Sequence, residues 1–141
     1  MGLELEFEHQ INDWLKWSGN LSWVDSDDSR GPEPDEHDSF GEAEWLANLA
    51  LVGRPADDWV IGAHWNHVGE RHGRIESFDG YDLVNLTATW HPAGIRGLSL
   101  RFGLRDAFGK GVTHAAFLPP AVERTLDYGG RYWSAQLAWS F

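Results

Sequence analysis

The sequence predicts an all-β chain: an antiparallel up-and-down meander of seven or eight strands that forms a partial or small transmembrane β-barrel. Three observations predict it. Apolar residues recur at every second position, short and long connections alternate, and tryptophans gather toward the strand ends. No segment repeats with the helical period. The 141 residues suit one domain, so a single β-barrel domain is predicted over 1–141.

Seven segments alternate apolar and polar residues over the length of a strand. The first begins with Leu3, Leu5 and Phe7 set between glutamates, and the last keeps large apolar residues up to its final position. Each segment therefore has one apolar and one polar face. In chain order, the strands are predicted within 3–8, 15–23, 45–52, 59–66, 84–91, 98–105 and 132–141.

The connections between these segments alternate in length. Such a rhythm is typical of outer-membrane barrels, which have short periplasmic turns and long extracellular loops. We call the side of the short turns the lower rim and the side of the long connections the upper rim. Short turns are predicted at 12–13, 53–58 and 92–94, and long connections at about 26–42, 69–80 and 109–130.

Nine tryptophans are the most unusual feature of the composition. Those near strand ends have the parity of the apolar face, which means that they occupy the same alternate positions as the other apolar residues of their strands. They form two rows, as in the aromatic girdles of membrane barrels, where indole suits the lipid–water interface. The alternative is a soluble barrel or sandwich with a tryptophan-rich core, which would allow aromatic residues at any height. The upper row is predicted to hold Trp23, Trp45, Trp65 and Trp133, and the lower row Trp59, Trp90, Trp139 and Phe141.

The charge balance excludes some partners. With 22 acidic and 11 basic residues the formal net charge is −11, which argues against nucleic acid, because a phosphate-binding surface should be basic. The acidic run at 25–44 is predicted to be a solvated loop. Without cysteine there is neither a disulfide nor a thiolate metal site. No stretch reaches the roughly 20 apolar residues of a membrane-spanning helix.

The polar face of the predicted sheet should line a watery or plugged lumen, where its charges compensate one another. The glutamates of the first strand are expected to pair with Lys16 of the second. The lumen-facing set is Glu4, Glu6, Glu8, Lys16, Asn20, Asn48, His64, Asn66, Asn85, Thr87, Arg101, Arg105 and Gln136.

Histidine and aspartate gather in the predicted upper loops, where a catalytic or metal site would be conceivable. Their spacing matches no ligand motif and no nucleophile–base arrangement, so we predict neither an enzyme nor a metal or other cofactor. The residues concerned are Asp25, Asp27, Asp28, His37, Asp38, His67, His72 and His114.

Four stretches in order resemble the C-terminal barrel strands of TonB-dependent outer-membrane receptors: "WNHVGERHGR" at 65–74, "DGYDLVNLTATWHP" at 79–92, "GLSLRFGLRDAFGKG" at 97–111 and "GRYWSAQLAWSF" at 130–141. The family usually has Asn-Leu-Phe-Asp in the third stretch, where this chain has Asp106-Ala107-Phe108-Gly109. The resemblance covers essentially all 141 residues.

The resemblance implies a Gram-negative outer-membrane protein and a parent receptor that imports a scarce ligand such as a ferric siderophore or cobalamin. It also implies that Leu137, Trp139 and Phe141 form the signal read by the barrel-assembly machinery. The plug domain and coupling motif of such receptors are not recognised in the sequence, so the chain alone is expected to transport nothing. Its ligand-binding residues stay unassigned.

Seven strands close a barrel poorly, because the first and last run the same way and bacterial barrels favour even numbers. The sequence therefore predicts a truncated or split receptor, completed by its missing portion, by further copies, or by an eighth strand within 109–130. The alternatives are a small self-standing barrel or oligomeric pore with a structural role, and a soluble ligand-binding barrel of lipocalin type.

Overall fold

The computed structural model of the chain describes residues 1–25, 43–72, 77–118 and 122–141, so the predicted acidic loop at 26–42 lies outside the described residues. The described chain contains no helix long and apolar enough to cross a membrane. The described residues form eleven strands: β1 (Gly2–Asn12), β2 (Leu15–Val24), β3 (Trp45–Ala56), β4 (Trp59–Val68), β5 (Arg71–His72), β6 (Ser77–Phe78), β7 (Tyr81–Trp90), β8 (Leu98–Arg105), β9 (Val112–Leu118), β10 (Val122–Tyr128) and β11 (Tyr132–Trp139).

Seven of these strands form one antiparallel sheet in the order β1-β2-β3-β4-β7-β8-β11, which confirms the predicted meander. Its strands are 8 to 12 residues long, longer than the five or six residues common in globular proteins and close to what a tilted membrane strand needs. The sheet ends at β1 on one side and at β11 on the other.

The upper rim carries two small hairpins outside the main sheet. Strand β5 pairs with β6, and β9 pairs with β10. An eighth wall strand within 109–130 is one of the completions that the sequence leaves open, and the described residues do not provide it, because β9 and β10 pair with each other in a separate sheet. The wall therefore keeps seven strands.

Cross-strand register places the alternating residues on two consistent faces. Partners in an antiparallel pair point to the same face. One continuous line across five strands joins Leu51, Ala63, Leu86, Leu104 and Trp133, all apolar. The residues next to them in sequence form the polar face.

The sheet has almost no buried core. Among the described residues, Phe78 is the buried hydrophobic side chain and Arg71 and Asp106 are the buried polar ones, all at the upper rim, and Gly53 is buried near the lower end of β3. Large apolar residues of the sheet are exposed, including Leu5, Phe102 and Trp139. A sheet buries its apolar face against a second layer or against lipid. Here the described chain offers no second layer over that face.

The lower rim is closed by tight connections, one of which needs glycine. Gly97 has a φ of +77°, a left-handed conformation that costs little only for glycine. Its carbonyl accepts a hydrogen bond of 3.0 Å from the backbone N–H of Ser140. The turn before β8 thereby holds the end of the chain. The sequence predicts that the last strand continues to Phe141, but β11 ends at Trp139.

Candidate functional site

The apolar face and its tryptophans form the first part of the candidate site. At the lower rim Trp59 lies opposite Trp90, with ring centroids 6.0 Å apart and planes 18° from parallel. The indole Nε1 of Trp90 donates a 2.9 Å hydrogen bond to Oδ2 of Asp58 in the turn below. Trp139 lies opposite Leu98 and is exposed. These rings combine apolar contact with a polar group at the sheet boundary.

The upper tryptophans show the same combination. Trp23 lies opposite Trp45 with ring centroids 6.2 Å apart. The Nε1 of Trp65 donates a 2.9 Å hydrogen bond to Oδ1 of Asp82, and His67 Nδ1 lies 2.9 Å from the same oxygen. Both polar residues have the parity of the apolar face, at the upper ends of β4 and β7. That the two rows meet the membrane interfaces stays a prediction.

Tryptophan spacing is repeated on three strands, which the sequence analysis missed. Trp17 and Trp23 are six residues apart on β2, as are Trp59 and Trp65 on β4, and Trp133 and Trp139 on β11. Six residues of strand cover about 20 Å. Trp17 contacts the ring of Phe7 at a centroid distance of 4.7 Å. Counting same-parity tryptophans within each strand would have added Trp17 to the lower row.

The polar face forms a shallow cleft of about 570 Å³ across β1 to β4. Asn66 Nδ2 donates to Asn48 Oδ1 across β3 and β4, and Asn20 lies opposite Asn48, so amides line one level of the cleft. Lys16 Nζ lies 2.8 Å from Glu8 Oε1, which confirms the expected pairing between the first two strands. The cleft is lined by Glu6, Phe7, Glu8, Ser18, Gly19, Asn20, Asn48, Ala50 and His64.

Two arginines continue the polar face beyond the cleft. Arg101 lies opposite Gln136 and Thr89, and Arg105 lies opposite Tyr132, with its guanidinium 5.8 Å from the centroid of that ring. The cationic end of the face is therefore on β8, far along the sheet from the glutamates of β1. Charge is therefore separated across the polar face of the sheet.

Asp106 organises the turn that leads from β8 into the β9–β10 hairpin. It is 2% exposed, and its φ of +48° is a conformation in which Asn and Asp are the favoured residues after glycine. Its carboxylate accepts backbone N–H groups of Gly111 at 2.8 Å and Lys110 at 3.2 Å. The hydrogen bond from Gly111, with help from Lys110 and Gly109, lowers the pKa of the Asp106 carboxyl.

Two residues of this turn stand where the chain differs from the Asn-Leu-Phe-Asp pattern of the resemblance. Asp106 stands at the position of the Asn, where the left-handed backbone needs a short polar side chain. Gly109 stands at the position of the Asp, also with positive φ, at +67°.

The histidines and aspartates considered as a rim site are not brought together in the described chain. His67 contacts Asp82 on the apolar face, and Asp25 is exposed at the upper end of β2. His72 and His114 lie on β5 and β9 respectively. No group of three potential metal ligands occurs among the described residues. Asp27, Asp28, His37 and Asp38 lie outside those residues.

The proposed assembly residues lie at the free edge of the sheet. Leu137 and Trp139 are exposed on β11, and Phe141 follows the strand, also exposed. Their position suits a segment that another protein can contact, since an unpaired strand edge can be extended by strand addition. Their role in assembly stays a prediction.

The chain resembles known proteins in both sequence and fold. Residues 1–106 match the family model of the TonB-dependent receptor-like β-barrel. The ferric enterobactin receptor PfeA of Pseudomonas aeruginosa, in complex with BCV-L6, superposes with a TM-score of 0.73 at 20% identity, over 99% of this chain and 22% of that one. The copper transporter OprC superposes with a TM-score of 0.68 at 19% identity, over 98% of this chain and 23% of OprC. No curated protein matches the sequence.

At about 20% identity, the structural likeness establishes only the fold. The match to the family model establishes that the chain is a member of that family. The chain spans less than a quarter of the length of the receptors that it superposes on. Within that length it has their antiparallel meander and no helix among its described residues. The chain therefore belongs to the TonB-dependent receptor-like β-barrel family, a family of transport receptors of the Gram-negative outer membrane.

Proposed function

We propose that these 141 residues form part of the wall of an outer-membrane receptor that imports a scarce ligand such as a ferric siderophore or cobalamin. The observation that carries the proposal is the two-faced sheet without a core, apolar on one side and polar on the other. Family membership and the ligands named for PfeA and OprC support it.

In this function the apolar face meets lipid, with the tryptophan rows near the two interfaces, and the polar face lines the lumen. The upper connections contribute to ligand capture. The partners are outer-membrane lipid, the barrel-assembly machinery acting on Leu137, Trp139 and Phe141, and the remainder of a receptor. The 141 residues alone transport nothing, and they act neither as an enzyme nor with a cofactor.

Depth-dependent fluorescence quenching tests the membrane part of the proposal. The chain is refolded into phosphatidylcholine vesicles whose acyl chains carry bromine near the headgroup or near the bilayer centre. We expect strong tryptophan quenching from the shallow positions and weaker quenching from the centre. Absence of quenching, together with a cooperative unfolding transition in plain buffer, would favour the soluble lipocalin-type barrel instead.

A chimeric receptor tests the uptake part. The chain replaces the stretch of PfeA on which it superposes, and uptake of radioactive ferric enterobactin is measured in cells that lack other receptors for it. Assembly of the chimera with retained uptake supports a receptor wall. The matched control carries Leu5→Lys, which places a charge on the lipid face and should block assembly.

Heat-modifiability on a denaturing gel separates the proposal from a self-standing or oligomeric barrel. A compact band that shifts on boiling, with cross-links that count the chains, would show that the sheet closes without another polypeptide. We expect no such band, because β1 and β11 run in the same direction and closure would need a parallel seam.

A further inference from the structure

The two outer strands of the main sheet, β1 and β11, are exposed along their whole length. Edge strands of soluble sheets are usually protected by charged side chains, proline or a bulge. Strand β11 has neither charge nor proline between Tyr132 and Trp139. In hydrocarbon an unpaired edge is not tolerated at all. The inference that both edges are covered therefore rests on the proposed membrane function.

Strand direction restricts what can cover the edges. Strand β1 begins at the upper rim and descends to its turn with β2, and β11 also descends from the upper rim. An antiparallel neighbour of either strand must ascend. If one further meander joins the two edges, its first and last strands must both ascend, so it has an odd number of strands. Added to the seven strands of this sheet, it gives an even total, as bacterial barrels favour.

A second copy of the chain does not meet this requirement. In the same membrane orientation its β11 descends, so pairing with β1 would be parallel. Its β1 could pair in antiparallel fashion only if the copy were inverted across the membrane. That arrangement would also set Glu4, Glu6 and Glu8 of the two copies along one seam, and like charges opposite each other destabilise a strand pair.

Charge on β1 indicates the chemistry of the missing neighbour. Glu4, Glu6 and Glu8 all have the parity of the polar face. Strand β2 supplies a single cation to this face, Lys16, which is bound to Glu8 at 2.8 Å. Opposite Glu4 and Glu6, strand β2 has an uncharged serine and asparagine. A cation of the wall that pairs with these two carboxylates would therefore lie on the other side of β1.

We propose that the free edge of β1 is a docking site for an ascending strand that carries Lys or Arg at its lumen-facing positions opposite Glu4 and Glu6. The same strand has apolar residues at the alternate positions, continuing the face formed by Leu3, Leu5 and Phe7. The edge of β11 accepts an ascending strand as well, but without a preference for charge, because its polar-face residues are uncharged.

Strand peptides test this directly in detergent micelles, where insertion into a bilayer is not required. One peptide of eleven residues alternates apolar residues with lysines placed opposite Glu4 and Glu6, and its matched control has glutamates there. The chain has no cysteine, so Leu5→Cys provides a unique cross-linking position on β1 and Leu137→Cys a second one on β11. Each peptide carries one cysteine at the antiparallel position.

We expect the lysine peptide to cross-link at Leu5→Cys with an apparent affinity about tenfold higher than the glutamate peptide, because two cross-strand charge pairs change from repulsive to attractive. At Leu137→Cys the two peptides should behave alike. The double variant Glu4→Gln and Glu6→Gln, whose folding is checked by circular dichroism, should abolish the preference on β1.

The proposal is overturned by equal cross-linking of both peptides on β1, by a preference that survives the glutamine variant, by a parallel register, or by failure to cross-link at either edge. Vesicle quenching reports separately on the membrane function. Selective docking in micelles without insertion into vesicles would contradict the proposed function and leave the charge selectivity of the edge supported.

Discussion

Trp90 allows a quantitative prediction, because its ring and its indole N–H act through different contacts. Its Nε1 donates to Asp58 Oδ2 at 2.9 Å, and its ring stacks on Trp59. Trp90→Phe keeps an aromatic ring on Trp59 and removes the N–H. A hydrogen bond to a carboxylate contributes about 1.5–3 kcal/mol. Since this one is partly exposed, we expect the free energy of unfolding to fall by about 1 kcal/mol.

A double-mutant cycle isolates that bond. Asp58→Ala should cost a similar amount, and the double variant should cost about as much as either change alone, giving a coupling of about 1 kcal/mol. Urea unfolding of the PfeA chimera that carries each variant, in phosphatidylcholine vesicles and followed by tryptophan emission, measures all four proteins. Trp133→Phe is the control, since Trp133 is 74% exposed and the change should cost less than about 0.5 kcal/mol. Additive losses at Trp90 and Asp58 would refute the reasoning.

Four further predictions concern the rims. Gly97→Ala should lower the free energy of unfolding by about 2 kcal/mol, because its φ is +77° and an added Cβ would overlap a carbonyl oxygen of the C-terminal segment. Gly94→Ala is the control: its Cβ would meet nothing within 4 Å, so this change should be neutral. Asp106→Ala should speed amide exchange in the β9–β10 hairpin, whereas Asp106→Asn should preserve the turn. Since the pKa of Asp106 is lowered, the carboxylate's stabilisation is complete at pH 7 and is lost only as the pH falls from the unfolded value of about 3.9 through the folded pKa. Deleting Phe141 should slow insertion by purified barrel-assembly machinery and leave refolding into detergent unchanged.

Each of these has a contradicting result. Equal stability of the Gly97 and Gly94 variants in urea would mean that the lower turn relaxes freely. Unchanged exchange in the Asp106→Ala protein would mean that the backbone alone holds the hairpin. Equal insertion rates with and without Phe141 would remove the terminal residue from the assembly signal.

The seven wall strands were predictable because one face of each is apolar, which imposes a period of two on the sequence. Leu98 to Leu104 is an example: every second residue is apolar, and the register with β11 matches that pattern. The β9–β10 hairpin was not predicted. Both sets of alternate positions in β9 contain polar and apolar residues: Thr113, Ala115 and Phe117 on one side, and the residues between them on the other. The sequence therefore shows no apolar face for this strand. A rim hairpin without a single apolar face lacks the signal that identifies a wall strand.

The candidate site was predictable to a similar extent. Parity alone places Glu8 and Lys16 on one face of adjacent strands, and the ion pair follows from it. The contact between Asp82, Trp65 and His67 does not follow from parity, because a carboxylate on an apolar face contradicts the pattern. It becomes understandable at the upper end of the strands, where polar groups of an outward face can reach water.

The exposed apolar face and the two descending edges have one physical consequence in common. A single sheet layer in water cannot offset the conformational entropy of its strands, because burial of apolar surface is the main favourable contribution and this sheet buries almost none within itself. Lipid can cover the face, but it cannot supply hydrogen bonds to the edges. Strands with ascending direction can satisfy the edges, but they leave the face to lipid. Complete coverage of this sheet therefore needs both surroundings at once, and the glutamates of β1 favour a basic strand as the one that completes it.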